Sequence, residues 1–175
     1  MILTLDPSLN AFGWAIIDEQ NHKIINCGCI AYPASKKTKI SAMKDKVIGK
    51  YDQDTEIVGS IFRKIDDLIK THKVGAIYTE VPIGSQSSRA AEALSMVKGL
   101  VICVANNNRC SLCPISPSKI KQFLSLDKNA DKEVIYKIVL EKMPSFALFY
   151  PNLMNKTTRH AISDALSVYL STLKV

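Results

Sequence analysis

The sequence predicts one α/β domain built on a mixed five-stranded sheet flanked by helices. Two observations carry that expectation. Three short apolar runs, separated by turn residues, open the chain. Beyond residue 53 the apolar residues recur every three or four positions, and these stretches alternate with two further apolar runs. Three strands, then helix, strand, helix, strand and helices, is the order of an antiparallel meander extended by parallel crossovers. A length of 175 residues suits one core of ordinary size, so 1–175 reads as a single domain.

The elements follow in order. Residues 1–6, 12–18 and 23–32 read as strands joined by short turns, and Asp-Pro-Ser-Leu-Asn at 6–10 is good turn chemistry. The lysine-rich stretch 33–53 has no clear period and reads as a loop. Ile57, Ile61, Ile65, Leu68 and Ile69 step by three or four and mark a helix over 54–72. "VGAIYTEV", 74–81, is the fourth strand, and "PIGSQSS" is a loop. Arg89 to Asn106 is a long, largely apolar helix, and 110–116 is the fifth strand. Ser116 followed by Pro117 is a helix start, with Ser as N-cap and Pro at the first helical position. That short helix runs to Leu124. Another covers 131–143, a loop covers 144–156, and a final helix runs from Thr157 to Leu173.

The bulk numbers narrow the function. The longest apolar run, Gly99 to Ala105, is far too short to cross a bilayer. The N-terminus carries no secretory signal pattern, so a reducing cytoplasm is the expected compartment, that of the host if the chain is viral. A net charge of +7 favours a polyanionic partner, nucleic acid first. Six lysines (36, 37, 39, 44, 46 and 50) stand against Asp45 alone in 36–50; the stretch is either a solvated loop or an arm that touches phosphates. Five cysteines include C-x-C at Cys27 and Cys29 and C-x-x-C at Cys110 and Cys113. Strand residues three apart face opposite sides, so buried free thiols are expected rather than zinc ligands.

Three carboxylates stand out by position. Asp6 ends the first strand and Glu80 the fourth. Asp164 lies on the last helix, on a polar stripe of His160, Asp164, Ser167 and Ser171 that runs beside an apolar stripe of Ile162, Leu166, Tyr169 and Leu173. That polar stripe is either a solvent face or the face of a helix laid across the strand ends. In the second arrangement strands one and four lie side by side and the three carboxylates meet. Clustered carboxylates repel unless cations compensate, and oxygen-only sites suit Mg²⁺ or Mn²⁺. Two such ions about 3.5–4 Å apart activate a water and stabilise the leaving oxygen in phosphodiester hydrolysis. A basic body with an acidic metal pocket is what a nuclease needs.

Four segments, in order along nearly the whole chain, carry a specific resemblance: "ILTLDPSLNAFGWAII", "IYTEVPIGSQSSRAAEALSMVKGLV", "ISPSKIKQFL" with "NADKEVIYKIV", and "HAISDALSVYL". Together they resemble the RuvC-type Holliday junction resolvases of the RNase H-like superfamily, a set that small phage and viral genomes also carry. The resemblance implies an RNase H-like fold and a homodimer that nicks two strands symmetrically across a four-way junction. It implies Asp6, Glu80 and Asp164 as carboxylates for two Mg²⁺ or Mn²⁺ ions, and Lys119 and Lys132 as phosphate contacts. Lys132 falls near a helix N-terminus, which also favours an anion.

Three positions depart from the family pattern. Ser8 stands where a glycine-like residue follows Asp-Pro. Ile83 stands where some members stack an aromatic ring on junction bases, leaving an apolar wedge. Ala161 stands three before Asp164, where the family places a fourth acid or histidine; His160, four before, is the nearest candidate ligand or proton acceptor. Lys36, Lys37 and Lys39 are candidate DNA contacts. The helix at 89–106 carries Ala90, Ala91, Leu94, Val97, Leu100, Val101 and Val104, more apolar surface than one sheet face requires, and part of it is expected at the dimer interface. The competing functions are a nuclease for forks or flaps and a non-catalytic junction binder, which would not need three carboxylates. A sugar-kinase-like ATPase would need a glycine-rich loop, and the seven glycines are not clustered.

Overall fold

A computed structural model describes residues 1–31, 46–81, 87–124, 131–149 and 155–173, with only the backbone described at 46–52 and at Arg89. Strands β1 (Ile2–Asp6), β2 (Ala11–Asp18) and β3 (Lys23–Ala31) form the expected antiparallel meander. Helix α1 (Lys46–His72) crosses over to β4 (Ala76–Glu80), which lies parallel to β1. Helix α2 (Ser88–Asn107) crosses over to β5 (Ser111–Ile115), parallel to β4. The strand order is β3-β2-β1-β4-β5. Helices α3 (Pro117–Phe123), α4 (Lys132–Lys142), α5 (Phe146–Phe149) and α6 (Lys156–Leu170) follow.

The turns explain two sequence features. Ser8, in the glycine-like place, ties down the β1–β2 turn: its Oγ accepts from the amide of Asn10 at 3.3 Å and of Ala11 at 3.5 Å. In the β2–β3 turn Asp18 accepts from the Gln20 amide and the Asn21 side chain, and His22 takes a positive φ of 52°.

Strand alternation divides the core into two layers. Leu3, Leu5, Phe12, Trp14, Ile16 and Ile77 meet the apolar stripes of α1 and α2 on one face. Ile2, Ala15, Ile17, Ile24 and Ile115 meet α3 to α6 on the other. The Gly13-Trp14 pair serves both. Trp14 lies against Gly28, where a Cβ would come within 2.6 Å of the ring, and Lys64 sits 5.4 Å from the indole centroid. Gly13 faces the opposite way, under α6. A Cβ there would lie 1.9 Å from the carbonyl oxygen of Ala161. The helix therefore rests on the bare backbone of β2.

Three expectations change in detail, one holds, and one open alternative is decided. Helix α1 begins at Lys46, so the last third of the stretch expected as a loop is helical; its first residues lack the apolar period that marks 57–69. The loop expected over 144–156 contains the short helix α5, and α6 ends at Leu170 rather than Leu173. Cys110 packs with the first layer, whereas Cys113 pairs in register with Tyr78 of the second, so the two thiols diverge as expected. Lastly, α6 has no solvent face between His160 and Leu170: every residue there is buried. Its serines are satisfied by its own backbone, Ser163 Oγ donating to Arg159 O at 2.7 Å, Ser167 to Asp164 O at 2.6 Å and Ser171 to Val168 O at 2.7 Å.

Gly13→Ala forces the α6 backbone off β2 and is expected to cost about 3 kcal/mol, the upper range for overpacking. Urea unfolding reads this directly, and a loss below about 1 kcal/mol contradicts the close seat.

Candidate active site

One row across the sheet builds the site. Cys29 pairs with Gly13, and Gly13 with Asp6. On the other side Leu5 pairs with Thr79, so the next residues, Asp6 and Glu80, end their parallel strands side by side. Glu80 in turn pairs with Ile115. Asp6 and Glu80 share the face covered by α6. Ala161 rests on Gly13, and Asp164 stands one turn further along the helix. Parallel strands, a glycine and a helical turn thus gather carboxylates that lie up to 158 positions apart in the sequence.

The charges register one another. The Asp6 carboxyl is pushed up to about 8, chiefly by burial and then by the charges of Asp164 and Glu80, with Lys132 opposing. Glu80 is also raised, by burial first and by Asp164 next, while Lys132 and Lys121 pull it back. Lys132, the first residue of α4, forms an ion pair with Asp164. Burial draws its ammonium pKa down, but the combined charges of Asp164, Asp6 and Glu80 outweigh this and raise it. Cys29 flanks the row; burial, then the Asp6 charge, pushes its thiol up to about 11.

The donor chemistry fits a divalent cation. Three carboxylates offer only hard oxygens, and Asp6 and Glu80 are raised by burial first and by neighbouring carboxylate charge next, both of which a cation offsets. The Lys132 ammonium is the cation now nearest all three. No group of three His, Cys, Asp or Glu among the described residues is arranged to hold a metal. Asp164 is ion-paired with Lys132, so a metal at the three carboxylates would compete with that pair.

The remaining candidates fall as follows. His160 is buried, and its Nε2 lies 3.0 Å from Glu133 Oε2 rather than in the row of carboxylates. Lys119 is exposed in the first turn of α3, where Ser116 caps the helix through the Lys119 amide at 3.3 Å. Ile83, Lys36, Lys37 and Lys39 lie outside the described residues. Sequence reasoning missed Lys121, whose charge acts on Glu80. The signal was present: the segment "ISPSKIKQFL" resembles the family's Pro-Ser-x-x-Lys pattern, which places its lysine at Lys121, not at Lys119. It also missed Glu133 and Arg159, which have no motif.

A mixed sheet with antiparallel and parallel halves and acids at the ends of its central strands, closed by a helix that adds a third acid, defines an RNase H-like nuclease fold. Comparison with known proteins narrows the class. The model of the crossover junction endodeoxyribonuclease RuvC family matches residues 2–172. The chain belongs to that family. RuvC of Chlorobium phaeobacteroides is 21% identical over 172 residues, covering 97% of this chain and 79% of that protein. RuvC of Cytophaga hutchinsonii is 26% identical over 173 residues, covering 96% and 73%. Among solved structures, Thermus thermophilus RuvC in complex with a Holliday junction superposes with a TM-score of 0.67 at 15% identity, covering 97% of this chain and 90% of that one. The yeast mitochondrial Holliday junction resolvase Ydc2 gives 0.60 at 11% identity, covering 97% and 77%. RuvC-type nucleases depend on divalent metal ions.

The Asp6 shift sets a pH test. The carboxyl ionises near 3.8 when unfolded and near 8 when folded, so the unfolded chain holds fewer protons between those limits and stability falls as pH rises through them. In EDTA, the thermal midpoint of Asp6→Asn should therefore gain on that of the wild type from about pH 4 to about pH 8. Added Mn²⁺ should reverse the gap. A difference that stays constant with pH contradicts the site's electrostatics.

Proposed function

We propose that the chain, acting as one nuclease domain, is a structure-selective endonuclease that resolves four-way DNA junctions by metal-dependent phosphodiester hydrolysis. The observation that supports it most is the convergence of Asp6, Glu80 and Asp164 on one sheet end, within a chain of the RuvC family. Asp6, Glu80 and Asp164 would hold two Mg²⁺ or Mn²⁺ ions. Such ions activate the attacking water and stabilise the leaving oxygen. Lys132, released from Asp164, is free to meet the scissile phosphate from the N-terminus of α4, where backbone amides also favour an anion. Lys121 supplies a second positive charge beside Glu80, Lys119 one on the exposed side of α3, and the net charge of +7 draws in the polyanion. His160 is held to Glu133 through Nε2, and its role in this reading is indirect.

A homodimer is part of this reading, since a four-way junction presents two equivalent strands for cutting. Val97, Leu100, Val101 and Val104 of α2 are spent on the chain's own core. The face left for a second copy is Ser95, Gly99, Ile102 and Cys103, with Ile102 half exposed. No described helix is long and apolar enough to cross a membrane, and the proposed place of action is the cytoplasm, with the DNA.

The test is the purified chain with Mg²⁺ or Mn²⁺ on synthetic four-way, three-way, flapped and linear DNA. Paired symmetric nicks in the four-way junction, bound by two copies of the chain, are expected. Asp6→Asn should still bind it and cut roughly a thousandfold slower, the equivalent of about 4 kcal/mol. Preference for flaps or forks would select the other nuclease reading. Junction binding with no cleavage under either metal would select the binding reading.

A further inference from the structure

We propose that Glu133 is a positioning residue: clamped by Arg159 and His160, it fixes the first turn of α4 so that Lys132 points into the acidic site. The ion pair of Lys132 with Asp164 needs such support. A lysine is a point charge on a flexible four-carbon stem, its side chain here is 58% exposed, and pairs exposed on one side contribute little by themselves. The apolar anchors of α4, Ile135 and Val139, lie further down the helix.

What holds its first turn is charge. The Glu133 carboxylate accepts from Arg159 Nη2 at 3.1 and 3.0 Å and from His160 Nε2 at 3.0 Å. Those bonds, His160's first, hold its pKa below the usual range. The Arg159 guanidinium also lies 5.0 Å from the centroid of Tyr136, one turn along α4. Tyr136 is edge-on to Phe146, which is fixed in the core. The same turn is capped by Asp131, which accepts from the Glu133 amide at 3.0 Å. So α4 touches α6 by charge at two levels: Glu133 at Arg159 and His160, and Lys132 one turn on at Asp164. Two such points set both the rotation and the height of the α4 terminus, which one point alone leaves free.

This assignment rests on the nuclease reading only for its consequence in catalysis; the position of Lys132 can be measured without substrate. Metal-free protein is acetylated with an N-hydroxysuccinimide ester, and each lysine is followed by mass spectrometry, with Lys119 as internal reference. Glu133→Gln and, separately, Arg159→Met should each raise the Lys132 rate at least fivefold relative to Lys119. Melting curves identify the folded variants. An unchanged ratio in either folded variant overturns the proposal. On the four-way junction, Glu133→Gln should lower kcat about tenfold with KM within twofold, and should cost nothing further in a Lys132→Met background. The same fractional loss in both backgrounds, the mark of a merely structural role, also overturns it. If the wild type cuts no junction, the nuclease reading fails while the labelling ratio still decides the role of Glu133.

Discussion

The carbonyl of Ala161 rests on the bare Cα of Gly13, and the depth of the acidic site follows from that contact. Gly13 is the register partner of Asp6. Any side chain at position 13 would lift α6 from the sheet and carry Asp164 away from Asp6. The residues around the contact serve the same closeness. Ala161 and Ala165 are small and buried, and the serines of α6 turn their hydroxyls onto their own helix rather than demanding partners or water. The polar stripe of α6 is thus a polar face that is buried, and its charge is left for Asp164 to direct at the strand ends.

Bringing three carboxylates together costs stability, and the fold offsets it with lysines from two other helices. Lys132 neutralises Asp164 directly, and Lys121 acts on Glu80. Asp6 feels Lys132 as well, but burial and the charges of Asp164 and Glu80 outweigh it and push its carboxyl up to about 8. A divalent cation relieves the same repulsion that a proton relieves in its absence. Lys132 occupies the place beside Asp164 that the proposed metal would claim, and under the proposed function metal binding would leave that lysine free for a phosphate. Stability and the proposed catalysis would then draw on the same few charges.

Much of this was legible in the sequence. Asp6 and Glu80 announce themselves because apolar strands end on them, and a helical crossover makes those strands neighbours. Asp164 follows from helical spacing against an apolar stripe, and the N-cap at Ser116 from its Pro117. What escaped depends on how elements meet. Lys119 and Lys121 differ by two positions on a helix, nearly half a turn apart, and only docking of α3 tells which one turns to Glu80. The burial of the α6 serines is invisible without Gly13 beneath them. His160 looks like a site residue because it is one turn from Asp164. Its ring is turned to Glu133, 27 positions earlier, and no periodicity within one helix encodes the register between two.

Where a bound metal sits decides whether the three carboxylates exchange Lys132 for a cation. Crystals of the chain grown with Mn²⁺ and measured at the manganese edge would locate the ions by anomalous scattering. Mn²⁺ is expected among Asp6, Glu80 and Asp164, with the Lys132 ammonium moved off Asp164. Manganese bound elsewhere, or bound there with the Lys132–Asp164 pair intact, would contradict it.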